Sequence, residues 1–150
     1  DRIIPDCIRA LEANKIIEIR SPKAIRPWQH VLEPLGGYML LASKMWDAPT
    51  KYCEGWNFGP RTESIANVWS VASKLIDSYG KGELKDVSDP NALHEANLLM
   101  LDINKAHFKL GWEPRMNINQ CINMVADWYK RYQAEDVYHL CVEQIHKYVS

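Results

Sequence analysis

The chain has 150 residues, is 47% apolar and 25% charged, and carries a formal net charge of -1. That size and composition suit one globular domain, residues 1–150, burying roughly 68–70% of its unfolded surface. A balanced charge argues against a nucleic-acid or anionic-membrane footprint, which needs a basic patch. No apolar run approaches the roughly 20 residues of a membrane span, and no signal-peptide pattern is present. The expected partners therefore include no nucleic acid and no membrane, and the expected location is cytoplasmic.

Four cysteines, Cys7, Cys53, Cys121 and Cys141, are scattered without a Cys-x-x-Cys pair, and the five histidines do not cluster. That pattern predicts buried reduced thiols with no disulfide and no metal site. The chain opens at Asp1 rather than Met, on the doorstep of a helix. A trimmed piece of a longer protein is the expectation.

Taken in order, Pro5 suits the first residue of a helix. Ile4, Cys7, Ile8 and Leu11 keep helical spacing up to Asn14. The β-branched run Ile16–Ile19 predicts a strand, and Trp28–Val31 a second extended piece bounded by Pro27 and Pro34. Leu35, Tyr38, Met39, Ala42, Met45 and Trp46 form a helical stripe. Gly36 and Gly37 near its start cost roughly 1 kcal/mol each relative to Ala, which predicts close approach of another backbone there. Trp56–Phe58 reads as a strand closed by Gly59-Pro60. Ser64 is the expected cap of a helix that runs from Ile65 to Tyr79 and stops at Gly80. Leu84–Val87 and Leu98–Leu101 are candidate strands, the second followed by a short helix ending at Gly111. Asn117 with Gln120 predicts a capping box, and a last helix is expected over 135–148. Alternating strands and helices give an α/β class with more helix than strand.

Few residues have the chemistry of a site. Arg26 offers a planar fork that matches phosphate oxygens, although by itself it reads as a solvated surface arginine. Asn57 sits in Trp-Asn-Phe-Gly, where asparagine ordinarily bonds its own backbone in a turn. Gly59 there would allow a backbone to come close. His94 and Glu95 read as polar loop surface. Ile17 and Ile19 share one strand face and serve either as ordinary core or as an apolar bed. Trp46, Trp69, Trp112 and Trp128 are expected in the core. Asp127 and Asp136 have no identifiable partner. The sequence has no Gly-x-x-Gly-x-x-Gly, no Tyr-x-x-x-Lys and no Ser/Thr-rich active-site strand.

Three ordered segments carry a resemblance. They are Arg26-Pro27-Trp28-Gln29-His30-Val31, then Gly55-Trp56-Asn57-Phe58-Gly59-Pro60, then His94-Glu95-Ala96 leading to Leu101-Asp102-Ile103-Asn104-Lys105-Ala106 and Leu110-Gly111-Trp112-Glu113-Pro114. In that order they resemble the C-terminal, substrate-binding part of extended short-chain dehydrogenase/reductases acting on nucleotide sugars. The likeness covers Asp1 to about Tyr132. The block from Ile25 to Ala42 is most similar to the CDP-glucose 4,6-dehydratase branch, where many relatives carry Arg-Asp in place of Arg26-Pro27.

The resemblance implies a helix-rich α/β fold with short strands, whose N-terminal Rossmann lobe is missing here. Segments 28–60 would pack on that NAD-binding lobe, and the faces left bare predict a homo-oligomer. NAD is implied in the intact parent enzyme and none is expected in this part. The implied reaction is oxidation at C4 of CDP-glucose or a related nucleotide sugar, loss of water across C5 and C6, and return of hydride to C6. It would serve deoxysugar and lipopolysaccharide synthesis. Arg26 and Asn57 take the diphosphate in that scheme, and His94 with Glu95 the diphosphate and ribose. Ala92 and Leu93 stand where related enzymes carry Arg-Pro. Leu98 stands where thymidine-sugar dehydratases carry Arg. Arg2, Ile17 and Ile19 fall at the nucleobase. The rival expectations are a nucleotide-sugar epimerase of the same superfamily and a non-enzymatic binding module. This part alone is expected to be inactive.

Overall fold

In the computed structural model, residues 2–90 and 97–150 are described. The first helix, α1 (Ile3–Glu12), buries Cys7, Ile8 and Leu11, three points of its predicted stripe. Pro5 lies two residues inside the helix, where its missing N–H is still one of the unpaired four. Asn14 ends the run with a left-handed φ of 49°, a conformation asparagine tolerates. Strand β1 (Ile17–Ile19) alternates buried, exposed, buried, so Ile17 and Ile19 point inward and Glu18 outward. It pairs in parallel with β4 (Leu84–Asp86), Ile17 opposite Leu84 and Ile19 opposite Asp86.

A second small sheet sits beside it. Strands β2 (Ile25–Arg26) and β3 (Ala66–Asn67) run antiparallel, with Arg26 opposite Ala66. Ile25 also bridges in parallel to Leu98. The expected strand at Trp28–Val31 therefore lies earlier in the chain. Residues 28–30 hold no ladder bond because their side chains make the contacts instead: the Trp28 indole donates to the Ala66 carbonyl. The expected strand Trp56–Phe58 is likewise irregular chain, fixed by ring packing. Of Leu98–Leu101, only the bridge at Leu98 is strand-like.

Helix α2 (Leu32–Asp47) follows β2, and the short α3 (Pro49–Tyr52) continues it. Gly37 of α2 admits the Phe58 ring so closely that a Cβ there would lie 2.3 Å from it. The expected close neighbour of this glycine pair is thus an aromatic ring rather than a backbone. Helix α4 (Val68–Tyr79) is capped by Asn67, whose side chain accepts from Ser70 N–H at 2.8 Å. Ser64 lies in a 3-10 turn, Thr62–Ser64, and caps nothing. Asn67 wins because its extended backbone, φ -81° and ψ 165°, presents the side chain to the first turn. Gly80 ends the helix in the left-handed region, as Gly111 ends α5 (Asn104–Leu110). The capping box of α6 (Ile118–Arg131) forms as its sequence predicts. Asp136 caps α7 (Val137–Val149) through His139 N–H, and Asp127 pairs with Arg131. Both aspartates have the partners that spacing alone did not identify.

The main core joins α1, β1, α4 and α6 through Cys7, Ile8, Leu11, Val71, Leu75 and Ile122. A second cluster gathers Tyr52, Phe58, Ala106, Leu110 and Trp112 between α2, α3 and α5. Of the tryptophans expected in the core, Trp112 is there, whereas Trp46 is 88% exposed and Trp69 is on the surface. The helix-rich α/β expectation with short strands holds. No helix among the described residues is long and apolar enough to cross a membrane.

Candidate functional site

Arg26 stands on the central segment of the small sheet. Its neighbour Ile25 is fastened on both sides: to Asn67 through β3, and to residues 97–99 by Ile25 N–H to Asn97 carbonyl, 2.7 Å, and Leu99 N–H to Ile25 carbonyl, 3.1 Å. Val68 N–H donates to Ala24 carbonyl and closes the corner where β3 becomes α4. A half-buried Arg26 is thereby held on backbone ordered from three directions, and its Nη1 donates to the Ile25 carbonyl at 2.8 Å. That bond orients the fork along the strand.

The chain at Asn57 is tied to the Arg26 segment by a side chain, Gln29. Gln29 Nε2 donates to the Phe58 carbonyl at 2.8 Å, tying the 57–59 turn to the Arg26 segment. The Gln29 Oε1 is buried with no partner among the described residues. Its signal in the sequence was a lone polar residue between two aromatic rings. Asn57 itself is exposed, its amide only 3.4 Å from the Asp102 carbonyl. Asp102 in turn accepts from Asn104 N–H. A Cβ on Gly59 would meet Leu101 at 3.0 Å. The closeness that glycine permits is therefore to the 101–103 segment.

Arg2 is exposed at the mouth of α1, where its carbonyl accepts from Asp6 N–H. Ile17 and Ile19, at 4% and 1% exposure, belong to the main core. Their side chains pack on helices and are not an open apolar bed, which corrects one of the two readings of that strand. His94 and Glu95 lie outside the described residues. Their nearest described neighbours in the chain, residues 97–99, are the ones bonded to Ile25.

Around this face the charges are paired. Arg61 and His107 both meet Glu113, and Lys105 bonds Glu54 and the Gly55 carbonyl while lying over the Trp56 ring. The hydrogen bond from Lys105 holds the exposed Glu54 carboxyl below its ordinary range. Two thiols are buried, and burial pushes Cys7 up to about 12 and Cys121 to about 11, which leaves both inert. Cys53 and Cys141 are exposed, contrary to the expectation of four buried thiols. Among the described residues no three His, Cys, Asp or Glu side chains could hold a metal ion.

The chain's residues do not fit a dinucleotide. Gly36 and Gly37 lie inside α2, Gly80 and Gly111 end helices, and Gly82 packs on Leu11. None opens a helix after a strand, where a pyrophosphate needs close backbone N–H groups. What the face offers is a guanidinium and an amide on neighbouring segments, a donor set for an anionic ligand.

The chain is 39% identical over 151 aligned positions to CDP-glucose 4,6-dehydratase of Salmonella typhimurium, a match covering 100% of the chain and 42% of that enzyme. No family model matches. In structure it is similar to UDP-glucuronic acid 4-epimerase from Bacillus cereus in complex with UDP-glucuronic acid and NAD, with a TM-score of 0.70 and 18% identity. It is also similar to dTDP-glucose 4,6-dehydratase from Bacillus anthracis in complex with NAD, at 0.67 and 16%. Both structural matches cover 88% of this chain and 40% of the other. The chain thus spans about two fifths of these proteins, and its fold is that of their C-terminal part.

Proposed function

We propose that this chain, which has the C-terminal fold of an extended short-chain dehydrogenase/reductase, is the sugar-nucleotide-binding part of a CDP-glucose 4,6-dehydratase. The net reaction of the whole enzyme would be loss of water from CDP-glucose to give CDP-4-keto-6-deoxyglucose, with NAD bound by residues outside this chain. The observation that carries the reading is the fixing of the Arg26 segment between β3 and residues 97–99, with the Asn57 turn tied on by Gln29. It supports a diphosphate ligand, because donors carried on ordered backbone bind without first being ordered. Identity of 39% between the full length of this chain and 42% of a dehydratase of that specificity supports the choice of ligand.

In this reading Arg26 takes the diphosphate oxygens bidentately and Asn57 donates its amide to them. His94 and Glu95 meet the diphosphate and ribose, and Arg2 borders the base. Ile17 and Ile19 serve by shaping the core beneath. Orientation of the hexose is this part's share of the chemistry.

Saturation-transfer NMR of the chain with CDP-glucose, and with CDP and CMP as shorter ligands, tests it. Transfer to CDP-glucose is expected, with CMP binding more weakly for want of the diphosphate. Arg26→Ala removes a charge-assisted pair and should weaken CDP-glucose roughly ten- to a hundredfold, and Arg26→Lys should restore only part. Unchanged affinity in Arg26→Ala would return Arg26 to ordinary surface and remove the phosphate assignment. Turnover of CDP-glucose by the chain alone, read as ketosugar absorbance, would refute its role as a binding part only.

A further inference from the structure

Away from Arg26 and Asn57, the start of α2 meets α6 and α7 over a groove of about 410 Å³. Its walls are Val31, Leu32, Val125, Trp128, Tyr129 and Ile145, and the Cys141 thiol lies at its edge. Two polar side chains interrupt this apolar lining, His30 and Gln144, each only 6% exposed.

Each of the two is half satisfied. Leu32 N–H donates to His30 Nδ1 at 3.3 Å, so the ring proton sits on Nε2. That Nε2–H has no partner among the described residues. Gln144 Nε2 donates to the Met124 carbonyl at 2.8 Å, which fixes the amide's orientation and leaves Oε1 as an acceptor with no described partner. Among the described residues only Gln29 Oε1 is a buried side-chain atom without a partner, so this donor and this acceptor are not sealed off and stay accessible to a ligand.

We propose that this groove is a binding site for an uncharged small molecule with an apolar, ring-sized body and one hydroxyl or carboxamide head, which accepts from His30 Nε2–H and donates to Gln144 Oε1. The volume lies within the range of small-ligand sites, roughly 300–1,000 Å³. The lining selects against charge, because an ion here would lose its hydration without a counter-ion. None of the lining residues belongs to the nucleotide-sugar face, so the site goes beyond the function proposed above.

The probe is 2-naphthol, and the host is the chain carrying Cys53→Ser, which leaves Cys141 as its one exposed thiol among the described residues. Titration should quench tryptophan emission and slow maleimide labelling of Cys141 with the same dissociation constant. Naphthalene, lacking the head, should bind about three- to tenfold more weakly, and 2-naphthoate should not bind. Gln144→Leu and His30→Phe should each weaken 2-naphthol by about three- to tenfold, the loss of one neutral hydrogen bond. Where either fails to fold, Ile145→Trp fills the groove from its exposed rim and should abolish binding. Quenching without protection of Cys141, or equal affinity in Ile145→Trp, would place the probe elsewhere and overturn the proposal. So would Cys141 protection that rises with protein concentration in the absence of probe, since a second copy would then cover the groove.

Discussion

The molecule packs in two ways, and the difference separates what holds itself together from what is held. The main core is dry: α1, β1, α4 and α6 meet through aliphatic side chains at helical and strand spacing, with Leu75 and Cys7 fully buried. The α2 side is a patchwork. Phe58 stands edge-on to Tyr38 and to Trp112, with ring centres 5.5 and 5.0 Å apart, while Leu35, Tyr38, Met39 and Trp46 of the same helix remain exposed. Between the two regions the joint is polar. Glu33, 0% exposed, accepts from Arg115 N–H, Met116 N–H and the Tyr148 hydroxyl. A helix with one face on rings, one on a buried carboxylate and one open depends on its surroundings in a way that α4 does not.

The largest expected effect tests whether stability resides in the dry core. Leu75→Ala removes a fully buried side chain from the centre of α4 and should cost about 2–5 kcal/mol. Trp46→Ala removes a larger side chain from the open face of α2 and should change stability by less than about 0.5 kcal/mol. Urea unfolding of both variants reads the contrast. Comparable losses would mean that the face of α2 is covered in solution, most simply by a second copy, and the comparison would have to be redrawn.

Two adjacent glycines sharpen the view of the α2 side. A Cβ at Gly37 would meet the Phe58 ring at 2.3 Å, and that ring is wedged between Tyr38 and Trp112. Gly37→Ala should therefore cost about 1–3 kcal/mol as overpacking, less the roughly 1 kcal/mol that alanine gains in a helix. At Gly36 the nearest atom is the Tyr148 hydroxyl at 3.0 Å, the end of a side chain that can give by a few tenths of an ångström. Gly36→Ala should be neutral to slightly stabilising. Thermal melts of the pair test this, and stabilisation by both would mean that the Phe58 ring is free to move.

The same division explains what the sequence made legible. Helices of the dry core announce themselves, because Ile4, Cys7, Ile8 and Leu11, or Val68, Ala72, Leu75 and Tyr79, repeat at helical spacing and end at Asn14 or Gly80. Strand assignments at Trp28–Val31 and Trp56–Phe58 failed because those segments are fixed by indole and amide side chains reaching across 38 and 29 residues, which no local period reports. At the candidate site, the motif drew attention to Arg26 and Asn57 as residues, but not to Gln29 as the link between their segments. The buried carboxylate of Glu33 was illegible for a related reason. Three of its donors come from residues 82 to 115 positions away, and a glutamate in the first turn of a helix reads as solvated.

The smallest effect concerns the joint itself, through His30. Burial holds its imidazole below the ordinary histidine range. The unfolded chain takes up that proton near pH 6.5, whereas the folded chain takes it up only at lower pH. Over that window the unfolded state binds more protons, so the stability in question is complete above about pH 6.5. It is lost as pH falls towards the folded value. Leu32 N–H of α2 donates to the ring, Gln144 of α7 lines the same groove, and Cys121 of α6 meets the His30 backbone. Cys121, pushed up to about 11, does not titrate in this range. The carboxyls that hydrogen bonds hold low, Glu54, Asp86, Glu135, Asp136 and Glu143, change only in more acid solution. Unfolding free energy measured between pH 7.5 and 5.5 should therefore slope downward with acid, and His30→Phe should flatten the slope while leaving Leu75→Ala as damaging as before. A slope unchanged in His30→Phe would place the acid sensitivity outside His30, and the joint would then be no more sensitive to pH than the core it is attached to.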